Sequence, residues 1–402
     1  MCGETFRPSL KYEKKKARQQ RRKNEQAAAR AALAAASLSS AKIAPSPPHC
    51  CPPWLSPADL ARSNDPALPI TDRLGTELAQ YAAYTQRVVT AARGPIDAAI
   101  DHIARCVTAI WPQATVTRFG SFATGLWLPS SDVDVVVLGV LDVVDSADAI
   151  ADGVAALEAI ARGLRGQRDW VKRIDVVRGA KVPVAKLELQ ARGLHVDISI
   201  ENGHTHRGIE ASTLVRRYVR ELPLLRPLVL ALKQFLREKA LNDAFTGGLS
   251  SYAVTLLAVF LLEHEPTDAM DQPVKDENAK GSGAELGRAL LDFLEFYGLG
   301  FCYATTGISL RPEAFGEYLL APLMAGLPMM PQLVIDDPVY SNGQHNAAAG
   351  AFAIARVIAA LENAHYALRF HRPTRFTPSP LCQLLHWSGH DTSGGGSAKP
   401  HL

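Results

Sequence analysis

Little in this chain of 402 residues points to a membrane or a disulfide scaffold. Its six cysteines, Cys2, Cys50, Cys51, Cys106, Cys302 and Cys382, form no CxxC pair. Their scatter speaks against a zinc knuckle and a disulfide framework, so a reducing compartment and no signal peptide are expected. The longest apolar run, "SYAVTLLAVFLL" from Ser251 to Leu262, ends at Glu263, well short of the roughly 20 residues a bilayer span needs. It reads as a buried helix. RNP, KH-type GXXG and Cys/His-knuckle signatures are missing too, and no internal repeat is visible.

Hydrophobic residues make up 47% of the chain and charged ones 21%, enough for a sizeable core and two domains. Net charge is only +3, yet "KKKARQQRRK" from Lys14 to Lys23 gathers cations in one block. Such blocks bind polyanions or import receptors; a solvated arm without a specific partner is an equal reading. The Ala-rich, then Pro-rich stretch that follows has too few large apolar residues to form a core. Folding is therefore expected from about residue 51, after an arm over residues 1–50. A flexible tail is expected over 376–402, and "PTDAMDQPVKDENAKGSG" from Pro266 to Gly283 reads as a surface loop.

Between these segments the periodicity predicts two amphipathic helices, "LGTELAQYAAYTQ" from Leu74 and "IDAAIDHIARCVTAIWP" from Ile96, the second stopped by Pro112. Strand-like runs follow at "TVTRFGSF", "DVDVVVLGV", "IDVVRG", "VPVAKLEL" and "LHVDISI", with a helix over "SADAIADGVAALEAIARGL". From Ala211 to about His371 the pattern is almost wholly helical. The fold class is α+β: a small mixed sheet with flanking helices, then an all-α domain.

The stretch "RFGSFATGLWLPSSDVDVVVL" carries the chemistry. Residues two apart in a strand share a face, so Asp132 and Asp134 project side by side while Val133 faces the core. Two carboxylates that close repel unless a cation neutralises them. Oxygen ligands without His or Cys point to Mg²⁺ or Mn²⁺. Strand "LHVDISI" supplies a third carboxylate, Asp197. Three aspartates on neighbouring strands can hold two metals about 4 Å apart, clamping attacking and leaving oxygens in phosphoryl or nucleotidyl transfer. Upstream, Gly120 lets backbone N–H groups approach a phosphate and Ser121 offers a hydroxyl. An isolated DxD is more often a solvent-facing turn; the Gly-Ser turn and Asp197 together overturn that reading. A glycosyltransferase DxD site would explain neither feature.

With "VPVAKLELQARGLHVDIS", "LKQFLREKALNDAFTGGLSSYAVTLL" and "EFYGLGFCYATTGISL", the stretch resembles the DNA polymerase β-like nucleotidyltransferases, and within them the noncanonical poly(A) polymerases of the TRAMP type and their terminal uridylyltransferase cousins. The resemblance runs from residue 52 to about 370. It implies a catalytic domain over 81–202 and a helical PAP-associated domain over 203–375, with residues 51–80 packing on the latter. Asp132, Asp134 and Asp197 match the catalytic triad and metal ligands, and Gly120 and Ser121 the phosphate-contacting turn. Lys233, and Arg237 one turn on, match triphosphate contacts. Ser251 matches a phosphate contact and Tyr252 a base-stacking ring; "FTGGLSSYAV" by itself reads as a turn before a helix capped by Ser250 or Ser251. Asn202 or His206 stands in for a ribose contact where relatives carry an Asn. Asn342, with Asp337 and Pro338, falls in the base-recognition loop, where Gly343 and Asn346 replace an expected Asp and Arg.

The resemblance implies a metal-dependent, template-independent RNA 3′-terminal nucleotidyltransferase, adding AMP from ATP with Mg²⁺ or Mn²⁺. Its expected partners are single-stranded RNA 3′ ends, a zinc-knuckle RNA-binding protein and an RNA helicase, without a membrane. The nucleus is the expected location, with the cytoplasm as the alternative. Terminal uridylylation and a catalytically silent scaffold of an RNA-decay complex are the other readings.

Overall fold

The computed structural model describes residues 51–140, 149–179, 182–190, 193–201, 207–264, 283–320, 331–340, 345–374 and 377–386. The basic arm, most of the loop expected after Pro266, and residues 387–402 lie outside the described residues. Among the described residues no helix is long and apolar enough to cross a membrane.

Five strands build the first sheet: β1 (Thr115–Arg118), β2 (Val133–Leu138), β3 (Val171–Val177), β4 (Val184–Leu189) and β5 (His195–Ile200). Their order is β1-β2-β5-β4-β3, with β2 and β5 parallel and every other pair antiparallel. All five coincide with strand-like runs read from the sequence. Strand alternation explains their core: Val133, Val135 and Val137 of β2, Ala185, Leu187 and Leu189 of β4, and Val196, Ile198 and Ile200 of β5 are all buried in one cluster. Two helices cover that face, α2 (Ile70–Thr108) through Ile96, Ile100 and Ile103, and α4 (Ala149–Arg165) through Leu157, Ile160 and Leu164. The opposite face carries the intervening residues, Asp132, Asp134, Lys186 and Asp197.

Helix α2 departs from the sequence expectation. It is one helix of 39 residues with Pro95 inside, not two helices. Pro95 removes a single N–H donor, and Gly94-Pro95 reads locally as a break. Burial on both sides overrides it: Leu74, Leu78 and Tyr81 enter one core and Ile96, Ile100 and Ile103 the other. Tertiary packing, rather than local propensity, holds the helix together across the proline. Its end at Thr108 falls just before Pro112.

The second core gathers short α1 (Pro57–Ser63), capped by a Ser56–Asp59 box, with α5 (Gly208–Glu221), α6 (Leu225–Glu238), α7 (Ser251–Glu263), α8 (Gly283–Glu295) and α9 (Ile354–Arg369). Helix α7 is apolar all round, and its residues 253–260 are buried without exception, as expected of a helix wrapped by others. The region expected to be almost wholly helical also holds a three-stranded sheet, β6 (Thr306–Ser309), β7 (Gly316–Leu319) and β8 (Ile335–Asp336), ordered β7-β6-β8. These strands hold two to four residues, and with Gly307 inside β6 and Gly316 opening β7 none is an uninterrupted β-branched run of the kind that announces β1.

Residues 377–386 correct the tail expected from 376. Leu381, Cys382, Leu384 and Leu385 sit in the helical core, and Ser379 is fully buried. The Gly/Ser-rich composition that suggested a tail begins only at Ser388; "PLCQLL" before it is apolar enough to dock.

Candidate active site

The parallel pairing of β2 with β5 sets Asp134 directly beside Asp197. Strand β4 continues the row, with Lys186 opposite Asp197. Asp132 lies two residues ahead of Asp134, on the same face just before β2 begins. Three strands thus present three carboxylates and one ammonium to one side of the sheet.

A short helix, α3 (Gly120–Thr124), closes against this row. Gly120 has φ +65°, and a Cβ there would lie 2.2 Å from Asp134 Oδ2. Only glycine lets the turn come this near the carboxylate. The turn is fixed from two sides: the Phe119 N–H donates to the Asp134 backbone carbonyl at 3.1 Å, and the Gly120 N–H to Ser212 Oγ of α5 at 2.7 Å.

Helices α6 and α7 supply the opposite wall. Ser121, Asp132, Asp134, Lys233, Arg237 and Ser251 line one pocket. Lys233 is only 5% exposed and donates from Nζ to the Leu126 carbonyl at 2.6 Å. Burial pushes its ammonium down to about 8, against the attraction of Asp134. Arg237 is likewise lowered by burial, and its buried Nη1 has no hydrogen-bond partner. A buried guanidinium nitrogen with an unmet donor is suited to an anion. Ser250, not Ser251, caps α7, accepting from the Ala253 N–H at 3.1 Å. That leaves the Ser251 hydroxyl at the pocket, beside a helix N-terminus whose dipole favours negative charge.

Electrostatically the carboxylates are under strain. Asp134 is raised to about 7, first by burial and then by Asp197 and Asp132. Asp197 is raised too, mainly by burial, while its hydrogen bond from Lys186 pulls the other way. A buried carboxylate flanked by two more is a group that calls for a cation. The donor set, oxygen only and cradled by a glycine with no space for a Cβ, fits a hard divalent cation. Among the described residues, no three ligating groups already converge on one point.

Tyr252 faces a different set of partners. Its hydroxyl donates to Asp337 Oδ1 at 2.9 Å, and Asp337 Oδ2 is 3.1 Å from His345 Nδ1. His345 stacks on Tyr340 at 4.1 Å, and the Arg207 guanidinium lies over the Tyr340 ring at 5.2 Å from its centroid. Asn346, in place of an expected Arg, braces the loop: its Oδ1 accepts from the Ile335 and Ala348 N–H groups and its Nδ2 donates to the Leu333 carbonyl. Asn202, His206, Asn342 and Gly343 lie outside the described residues.

Sequence reasoning missed Lys186, Ser212 and His345. Lys186 had a usable signal, since alternation in "VPVAKLEL" puts it on the outer face with Asp197. Ser212 had none, because its role depends on how α5 meets α3.

Sheet order, parallel β2/β5 pairing and the Gly-Ser turn against an aspartate row are those of the polymerase β-like nucleotidyltransferase fold. Residues 82–220 match the family described as poly(A) RNA polymerase, mitochondrial-like, central palm domain. The chain is 31% identical over 314 residues to poly(A) RNA polymerase protein 1 of Eremothecium gossypii, covering 77% of this chain and 46% of that protein. The chain thus spans less than half the length of this curated relative. Among solved structures it is similar to the polymerase core of TRAMP, an RNA surveillance complex, with a TM-score of 0.64 and 25% identity over 83% of this chain and all of that one. The Cid1 poly(U) polymerase with Mg and 3′-dATP bound shares the fold at a TM-score of 0.53 and 20% identity, over 73% of this chain and 95% of that one. Residues 82–220 thus carry that palm domain, and over most of its length the chain is similar to noncanonical poly(A) polymerases.

Proposed function

We propose that the protein is a metal-dependent, template-independent RNA 3′-terminal nucleotidyltransferase that transfers AMP from ATP to RNA 3′ ends. The observation that carries this reading is the in-register pair Asp134 and Asp197, with the Gly120-Ser121 turn packed against the first. Asp132, Asp134 and Asp197 would hold Mg²⁺ or Mn²⁺, which supplies charge neutralisation at the attacking and leaving oxygens. Gly120, Ser121, Lys233, Arg237 and Ser251 receive the triphosphate; the unmet Arg237 donor and the buried Lys233 ammonium support that assignment. Tyr252 offers its ring to the base while Asp337, itself in contact with His345, accepts from its hydroxyl. Asn202 and Asn342 remain proposed ribose and base contacts.

We read residues 81–202 as the catalytic domain and 203–375 as the nucleotide-recognition domain, with 51–80 joining the latter. RNA surveillance in the nucleus, with a zinc-knuckle protein and a helicase as partners, is the cellular setting that the likeness to the TRAMP core supports. Incubating the full chain with labelled oligoribonucleotide, Mg²⁺ or Mn²⁺ and each NTP separately tests the reading, with Asp132→Ala, Asp134→Ala as control. Extension with ATP that the control lacks is the expected result. Extension chiefly with UTP would move the protein to the uridylyltransferases, and none with any nucleotide, partners added, would leave a silent scaffold.

A further inference from the structure

The aspartate row already faces a cation supplied by the chain. Lys186 on β4 stands opposite Asp197, which stands beside Asp134 on β2. The ammonium donates to Asp197 Oδ2 at 2.8 Å and lies 3.8 Å from Asp132 Oδ2. It therefore bridges the carboxylate at one end of the site to the one at the other. Lys233, the other lysine near the row, is turned to the Leu126 carbonyl.

Two physical facts make this bridge more than a surface ion pair. Three carboxylates on adjoining strands repel one another across the centre of the sheet, and that repulsion opposes folding whenever no other cation is at hand. Lys186 is also half exposed, with 53% of its side chain reaching solvent, so its long arm can leave Asp197 without a large desolvation cost.

We propose that Lys186 is the resident counter-cation of the aspartate site: it ties Asp197 to Asp132 in the metal-free protein, and cedes Asp197 when a divalent cation binds. The bridge lets the palm fold before metal arrives, and its competition weakens metal binding. This inference rests on the reading that the three aspartates hold a divalent cation.

The test compares the full chain with its Lys186→Met and Lys186→Arg variants, without nucleotide, by Mn²⁺ titration followed by electron paramagnetic resonance and by thermal melts in EDTA. Lys186→Met is expected to bind Mn²⁺ about tenfold more tightly, since one unit charge a few ångströms away is removed. In EDTA it should melt at a lower temperature than the parent, with the gap closing as Mn²⁺ saturates; Lys186→Arg, which keeps the charge, should melt like the parent. A merely structural lysine would not tighten metal binding when lost. Unchanged or weaker Mn²⁺ binding in Lys186→Met, with the parent binding normally, overturns the inference and leaves the metal reading intact. A parent that binds Mn²⁺ no better than Asp132→Asn, Asp134→Asn overturns both. Should Lys186→Met not fold in EDTA, Lys186→Gln carries the same comparison, and its failure to bind Mn²⁺ more tightly overturns the inference.

Discussion

Gly120 is the residue on which the site's geometry turns. At φ +65° an L side chain is strained, and a Cβ would strike Asp134 Oδ2 at 2.2 Å and Cγ at 2.9 Å. Gly120→Ala must therefore push either the turn or the carboxylate away, and both belong to the proposed catalytic machinery. Backbone strain of about 1 kcal/mol is expected in stability. The larger effect belongs to activity: a displacement of this size at reacting groups costs on the order of 100-fold in rate. Nucleotide-addition kinetics beside a thermal melt would separate the two, and near-normal kcat/KM would show that the close approach is unnecessary. At this scale the sequence was informative wherever chemistry is local. Asp132, Asp134 and Asp197 announce themselves because carboxylates inside strands of valine and isoleucine are costly and so need a reason. Ser212 and the Leu126 carbonyl carry no such mark, being an ordinary serine and a backbone oxygen until α5 and α6 bring them to Gly120 and Lys233.

Between elements, α2 and α8 cross with glycines at the contact. A Cβ on Gly287 would lie 1.9 Å from the Thr71 carbonyl oxygen, and one on Gly75 only 1.5 Å from that of Gly283. Gly→Ala in a helix ordinarily stabilises by about 0.5–1 kcal/mol. Here the sign should reverse: Gly287→Ala forces the helices apart, with an overpacking cost of about 1–3 kcal/mol. Gly153→Ala in α4, where a Cβ meets nothing within 4 Å, should show the ordinary gain. Urea melts of the two variants beside the parent check both signs, and equal shifts would show that the crossing relaxes freely. Strand assignments in the palm were legible because most of the runs are rich in β-branched residues. The small β6-β7-β8 sheet was hidden because its short strands, β6 and β7 carrying glycine, form no β-branched run, and the continuity of α2 because Gly94-Pro95 is a strong local break that only packing on two cores overrides.

Across the whole molecule, residues far apart in sequence are locked by one buried carboxyl group. Glu77 on α2 is fully buried; its Oε2 accepts from Ser379 Oγ at 2.6 Å and from the Leu381 N–H at 3.2 Å. Asn64 Nδ2 donates to the Pro378 carbonyl beside it. These contacts clip residues 377–386 onto the helical core. Burial raises Glu77 from its ordinary 4.5 to about 7, despite the hydrogen bonds that lower it. The folded state thus binds a proton that the unfolded state releases between about 4.5 and about 7. Stability from this group is full below 4.5 and is lost as pH rises through 7. Glu77→Gln, which cannot ionise, should exceed the parent in stability above pH 7 by up to roughly 3 kcal/mol, the gap shrinking as pH falls toward 4.5. Denaturant melts at pH 5 and pH 8 measure it, and a pH-independent difference would mean that Glu77 is ionised throughout.

What the sequence determined by itself was the residue set of the candidate site and the five strands of the first sheet. An aspartate pair at a strand mouth, a third aspartate on another strand and a Gly-Ser turn follow from residue type and from periods of two and 3.6, which are properties of short segments. What only the tertiary structure decided was adjacency. The parallel pairing of β2 with β5, the bracing of Gly120 by Ser212 and the docking of 377–386 on Glu77 all join segments separated by tens to hundreds of residues. Such contacts leave no periodic trace, because their energy lies in burial and electrostatics summed over partners that come together only once the chain has folded.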